Sequence, residues 1–254
     1  MQTAAKLFSD SPNSQRTIIY IGDGVNRCNF LSNQQHRQLI DDLVQQQITF
    51  STFVIGPITD IGNLASIANH TGGILYARQA IQESTQVIGR NLGRSAAMPV
   101  VWVQEAQLPT SVSSQLPQRF PPLRLDRDSV ILGHLSSAPS AGQVQIVGQV
   151  AGKTIQMHWD IHPEASHPDL GFLTSLVERH RLDGGLNLAA LGSDGLRALS
   201  LVMADSATDM IKSGRFALAS GQPESALRIA EEALKQDPGN PEATSLKTAA
   251  QQAL

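Results

Sequence analysis

Side chains capable of chemistry cluster at four places in the 254-residue chain. His158, Asp160 and His162 stand in the run H-W-D-I-H. On a strand they project from one face, while Trp159 and Ile161 project from the other. Such a trio could hold a metal ion or move protons. The same alternation is what an antiparallel sheet with one wet face produces, here ended by Pro163 with Glu164 and His167 nearby. Cys28 is the sole cysteine, which rules out an intrachain disulfide and a Cys-based zinc site and leaves a plain structural thiol. Ser193 lies in L-G-S-D-G, which is not G-x-S-x-G and reads as a loop ending at the N-cap of the next helix. Gly22-Asp23-Gly24 opens like a dinucleotide fingerprint, but Arg27 stands where the third glycine is required.

Regular elements must position these groups, and the hydrophobic pattern supplies them in three stretches. From Gln15 to about Arg94 strands and helices alternate. R-T-I-I-Y-I enters the Gly-Asp-Gly turn, and Leu39, Ile40, Leu43 and Val44 recur at helical spacing. I-T-F-S-T-F-V is β-branched and aromatic, and Leu64, Ile67 and Ala68 share a helical face that stops at Gly72 and Gly73. I-L-Y-A is a short strand, and a closing helix runs to about Ala96. This rhythm predicts parallel strands joined by crossover helices. Between Pro99 and His162 short β-rich runs alternate with Pro, Ser and Gly clusters, the mark of a small antiparallel unit. From Pro168 onward the pattern is helical, and prolines after Gln222 and Asn240 open two of the helices.

Composition narrows the function. The net charge is −3, from 19 Lys+Arg against 22 Asp+Glu. The basic residues are scattered, so no concentrated face exists to follow a phosphate backbone. Two Trp, two Tyr and seven Phe are too dispersed for a base-stacking platform. No run of about 18 apolar residues suggests a membrane span, and the first residues lack the apolar core of a signal peptide. If the chain is complete, the expectation is a cytoplasmic protein.

Residues 15–95 resemble the second half of a von Willebrand factor type A domain. The likeness rests on R-T-I-I-Y-I-G-D-G, on the long helix leading into Q-Q-Q-I-T-F-S-T-F-V-I-G, and on L-A-S-I-A-N-H-T-G-G-I-L-Y. In that family an Asp-x-Ser-x-Ser loop, a Thr and an Asp of a later loop hold a divalent cation. The resemblance makes Asp23 that later carboxylate and the sole metal ligand assigned, in an incomplete site. Oxygen ligands at the C-terminal ends of parallel strands suit a hard cation. Upstream, Ser9, Asp10 and Ser11 read S-D-S, not Asp-x-Ser-x-Ser. The expectation is therefore a fragment that lacks the first strands of its sheet, with Mg²⁺ binding reserved for an intact parent chain.

Gly214, Gly221, Ala226, Ala230, Ala233 and Pro238 fall where a tetratricopeptide unit places its small residues and terminal proline. This resemblance implies one degenerate repeat near residues 207–240, with Met210, Ser213 and Ala217 at positions usually bulky. The alternative is an ordinary helical hairpin. The middle stretch is similar in outline to the β segment following the type A domain in some large bacterial and inter-alpha-trypsin-inhibitor-like proteins. Its Arg119, Arg124, Asp126, Arg127 and Asp128 form a charged cluster, expected to pin the β unit by surface ion pairs of about 0–1 kcal/mol each. A rival resemblance is to haloacid dehalogenase-like phosphatases, whose magnesium loop is similar to G-D-G-V-N. Arg27 reverses the charge of its second carboxylate, and the family's nucleophilic Asp loop is missing.

Together these readings predict a Rossmann-like α/β half-domain of type A character over residues 1–96. A β-rich domain follows over 97–164, and a helical region with the tetratricopeptide-like unit over 165–254. The function expected is non-enzymatic protein–protein interaction or scaffolding, with no catalytic residue, no cofactor in the chain as given and no nucleic-acid partner. The alternative is a magnesium-dependent phosphohydrolase.

Overall fold

In the computed structural model the described residues are 2–8, 14–25, 31–77, 84–136, 141–164 and 166–254. They divide into two compact units, one running to Pro163 and including Asp183–Leu196, the other made of Glu164–Leu182 and Arg197–Leu254.

The first unit contains a parallel layer. After the short helix α1 (Gln2–Ala5) come β1 (Arg16–Gly22), α2 (Asn33–Gln45), β2 (Ile48–Val54), α3 (Ile61–His70), β3 (Leu75–Ala77) and α4 (Thr85–Ala97). The strands lie in the order β1-β2-β3, all parallel, with Arg16 opposite Ile48 and Thr52 opposite Leu75. β2 is buried along its whole length, as a β-branched and aromatic strand covered on both faces should be. Ile48, Phe50 and Val54 pack with Leu39, Ile40 and Leu43 of α2 and Leu64 and Ile67 of α3. Phe53 and Ile74 meet Ile88 and Leu92 of α4.

Local signals start and stop these helices. Ser32 and Gln35 form a reciprocal capping box at α2, and the Asp60 carboxylate accepts from Asn63 N at the start of α3. Gly72 follows α3 at φ +68°, and a Cβ on Gly73 would overlap the Phe50 carbonyl. Only glycine lets the chain leave the helix this close to β2.

The antiparallel layer belongs to the same unit. It comprises β4 (Val100–Gln107), β5 (Val112–Leu116), β6 (Leu123–Arg124), β7 (Leu132–Leu135), β8 (Gly142–Val150) and β9 (Lys153–Ile161). One sheet runs β6-β4-β8-β9 and a second pairs β5 with β7. Ala151 and Gly152, both at positive φ, close the β8–β9 hairpin as a two-residue turn of this kind requires. β5 and β6 lie in stretches that the pattern assigns to connections, because Pro117, Pro121 and Pro122 break them into lengths too short to show alternation.

The second unit contains α5 (Phe172–Arg181), most of α6 (Gly192–Ala219), α7 (Pro223–Gln236) and α8 (Pro241–Gln252). Ala207, Ile211, Ala230, Ala233, Ala243 and Leu246 form its main cluster. A Cβ at Gly214 would come within 2.6 Å of Leu246, so the small residues sit where these helices approach closely. Asn240 caps α8 through Glu242 N and Ala243 N. Among the described residues no helix is long and apolar enough to cross a membrane.

Candidate functional site

Asp23 emerges from the C-terminal end of β1. Its carbonyl accepts from Asp60 N (2.8 Å), and Ile55 N donates to Gly22 O (3.1 Å), which fastens the two loops at this end of the sheet together. The Asp23 carboxylate turns back on its own chain, Oδ1 accepting from Val25 N at 3.0 Å. The neighbouring Asp60 carboxylate is engaged by Asn63, through N and Nδ2. Among the described residues no group of three His, Cys, Asp or Glu side chains could hold a metal ion. A hard cation needs about six oxygen ligands, so the residues described around Asp23 do not by themselves fit Mg²⁺. Arg27, Cys28, Ser9, Asp10 and Ser11 fall outside the described residues.

Four isoleucines surround these loops in sequence: Ile21 (60% exposed), Ile55 (36%), Ile58 (71%) and Ile61 (37%). Ile19 on β1 adds to them at 42%. β1 pairs with β2 alone among the described strands.

The H-W-D-I-H run lies on β9, the outer strand of its sheet. His158 and Asp160 stand opposite Gln145 and Gln143, and Gln143 Nε2 donates to Asp160 Oδ1 at 3.0 Å. His162 lies beyond the strand end, and all three side chains are exposed. The arrangement is that of a polar, solvated sheet face.

The charged cluster departs from expectation. Arg124 is buried rather than superficial. Its Nε and Nη2 grip Asp126 at 2.6 and 2.7 Å, Nη1 donates to Gly72 O (2.9 Å) and Nη2 to Ser95 O (2.9 Å). Ser95 Oγ completes the group by donating to Asp126. Burial would raise the Asp126 carboxyl, but the hydrogen bonds and charge of Arg124 outweigh it and hold the group below its ordinary value. The antiparallel layer is thus tied to the ends of α3 and α4 by a two-pronged, desolvated contact, of a different order from a surface pair. Arg119 alone fits the surface expectation, pairing with Asp41 at 2.7 Å with both side chains 40% exposed or more.

Ser193 also departs from expectation. α6 begins at Gly192, so Ser193 is inside the first turn, and the cap comes from Asp128. That carboxylate accepts from Ser193 N (3.1 and 3.0 Å) and from Ser193 Oγ. Those hydrogen bonds hold the Asp128 carboxyl below its usual range.

The chain between α5 and α6 is a further element that the pattern does not disclose. Leu186, Leu188 and Ala190 are buried in the first unit. Asp183 folds the segment, accepting from Gly185 N, Asn187 N and Asn187 Nδ2, and Arg37 Nη2 donates to Asp183 O at 2.9 Å. Ser66 Oγ donates to Leu186 O (2.6 Å) and His70 Nε2 to the same oxygen (3.1 Å). Because Ser66 spends its proton there, His36 Nε2 donates to Ser66 Oγ at 3.3 Å. Burial lowers both histidines, His70 to about 4 and His36 against the opposing pull of Asp60 and Asp183. A signal was present in the D-G-G-L-N-L-A-A-L run, whose apolar residues follow two glycines, but it has neither helical nor strand period.

One apolar groove of 630 Å³ crosses the antiparallel sheet, lined by Val101, Ile146, Ile155, Met157 and Trp159, with Arg127 in its wall.

No family model matches the sequence, and no curated protein matches it. Solved structures show a distant likeness in fold. A von Willebrand factor type A protein from Catenulispora acidiphila aligns at 13% identity and TM-score 0.41, covering 98% of this chain and 68% of that one. The human COPII-coat protein Sec24c aligns at 12% and 0.43, covering 92% and 39%. The ArnB paralog VWA2 from Sulfolobus acidocaldarius aligns at 11% and 0.32, covering 99% and 66%. The chain thus spans less than two thirds of the second and third of these.

Proposed function

We propose that the chain is a protein-interaction module that acts by binding rather than by catalysis. The observation that carries this reading is the set of exposed isoleucines at the C-terminal end of the parallel sheet, Ile21, Ile55, Ile58 and Ile61, beside the Asp23 loop. Apolar side chains gathered at one end of a sheet mark a surface that gains by being covered. The outer edge of β1, which pairs with β2 alone among the described strands, offers backbone groups to a partner's strand at the same place. The tetratricopeptide-like helices α6 and α7 supply a second surface, so that two weak contacts on one chain combine. In a longer parent chain, Asp23 would contribute one carboxylate to a shared Mg²⁺.

The test is stoichiometric cross-linking of the full chain to partners, with a photoreactive residue placed at Ile58. Adding Ile21→Lys should abolish the adduct while the melting temperature holds, since Ile21 is 60% exposed. A partner adduct that survives Ile21→Lys overturns the reading of this surface. Magnesium-dependent phosphate-ester hydrolysis that disappears in Asp23→Ala overturns the non-enzymatic reading.

A further inference from the structure

The antiparallel sheet has two unlike faces. On one, Gln143, Gln145 and Gln149 lie opposite Asp160, His158 and Thr154. On the other, Val144 lies opposite Trp159 and Ile146 opposite Met157, and these line the 630 Å³ groove. That volume is within the range of small-molecule sites, which run from about 300 to 1,000 Å³. Trp159 remains 46% exposed at its rim.

Among the described charged groups of the groove wall, Arg127 is the most loosely held. Arg124 spends its guanidinium on Asp126, Gly72 and Ser95, and Asp128 spends its carboxylate on Ser193. Arg127 Nη1 donates to Asn69 Oδ1 at 3.2 Å and Nη2 reaches Pro122 O at 3.5 Å, a contact at the limit of a hydrogen bond. Its Nε is buried and meets no acceptor, and the same holds for Asn69 Nδ2 on the fully buried side chain beside it. Burial lowers the Arg127 pKa to about 10, with Arg124 adding repulsion, while Asp126 and Asp128 favour the charge from nearby. A desolvated cation with spare donors is costly to maintain unless an acceptor of opposite charge arrives. Perturbed cations in apolar clefts mark binding sites for that reason.

We propose that this groove binds an amphiphile with a carboxylate head and an unbranched apolar chain, a medium-chain fatty carboxylate. The head pairs with Arg127, and the chain lies across β4, β8 and β9 toward Trp159. The carboxylate meets the guanidinium charge from the groove side, through the Nη protons that Asn69 and Pro122 do not take. Adjacent strands are about 4.8 Å apart, so crossing three of them takes about 10 Å, the reach of a chain of roughly eight to ten carbons. The apolar lining gives affinity, and Arg127 gives the preference for an anion.

The experiment titrates the ¹⁵N-labelled full chain with decanoate, decanol and decyltrimethylammonium, each below its micelle concentration. Decanoate should bind saturably at one site, at least about tenfold more tightly than decanol, as a charge-assisted contact implies. It should shift both the Arg127 Nε–H and Trp159 indole N–H resonances, whereas decanol should shift only the second. Arg127→Gln should bring decanoate down to the level of decanol, and Ile155→Glu should remove both. Equal affinity for decanoate and decanol, an Arg127 Nε–H resonance that does not move, or decanoate binding that survives Ile155→Glu overturns the proposal. Absence of saturation overturns it too and assigns the spare donors to ordered water. The Nε–H shift is read on the wild-type protein, so the outcome does not depend on Arg127→Gln folding.

Discussion

The parallel and antiparallel layers of the first unit bury their apolar faces to different extents. β2 is covered on both sides by its own crossover helices, and every one of its seven residues is buried. On β9 no residue is buried, although Ile155, Met157 and Trp159 form an apolar row along it. The difference follows from connectivity. A parallel strand must be followed by a crossover, usually a helix, which returns over the sheet and covers it. A hairpin such as β8–β9 brings no such cover, so its apolar face stays open unless another segment reaches it. The closed layer accordingly carries stability, and the open layer has surface available for binding.

Substitutions should separate the layers. Phe50→Ala, in the closed layer, should cost about 3–5 kcal/mol in denaturant unfolding, because the ring is fully buried and the cavity has rigid walls. A loss below about 1 kcal/mol would show that the layer is not closed. Arg124→Ala should cost about 3 kcal/mol, since it leaves the buried carbonyls of Gly72 and Ser95 without their donor and takes the partner from Asp126. A cost near zero would return this contact to the rank of a surface ion pair.

Acid should weaken the closed layer next. His70 has a folded pKa of about 4, lowered by burial from the 6.5 of a solvent-exposed histidine, so the unfolded chain binds the proton first. Its contribution is complete above about pH 6.5 and lost progressively as pH falls toward 4. One pKa unit is about 1.4 kcal/mol, so the loss should approach about 2–3 kcal/mol, and His36 shifts in the same direction. Urea midpoints compared at pH 7 and 4.5 check this, and His70→Gln should flatten the dependence. Asp128→Ala removes a remote helix cap and should cost about 1 kcal/mol by thermal melting. Trp159→Thr, on the open layer, should change stability by about 0.5 kcal/mol or less. A larger loss would show that the β9 face is packed in solution.

Much of the fold was legible in the sequence. Leu39, Ile40 and Leu43 at helical spacing, the Gly72-Gly73 stop and the prolines opening α7 and α8 are local signals, and each stands where the pattern places it. The parallel pairing of β1 with β2 and the β8–β9 hairpin follow from spacing and turn residues. What failed was the environment of charged and irregular segments. Arg124 and Arg127 stand three residues apart in one basic-acidic cluster, and nothing local shows that one is fully engaged while the other keeps spare donors. β5 and β6 were hidden by prolines, and residues 183–190 by their lack of any period.

The sequence by itself therefore determined most of the helices and the longer strands, though not β5 and β6, because propensity, caps and hydrophobic period act over a few residues. It also determined that Asp23 directly follows a strand and that His158 and Asp160 share a face, with His162 just past the strand end. Only the tertiary structure decided that Arg37 meets Asp183 across 146 residues, that Arg124 reaches Gly72 across 52, and that Arg127 lies in the wall of an apolar groove. Burial and hydrogen-bond completion depend on which distant groups the fold brings together, and no local period encodes them.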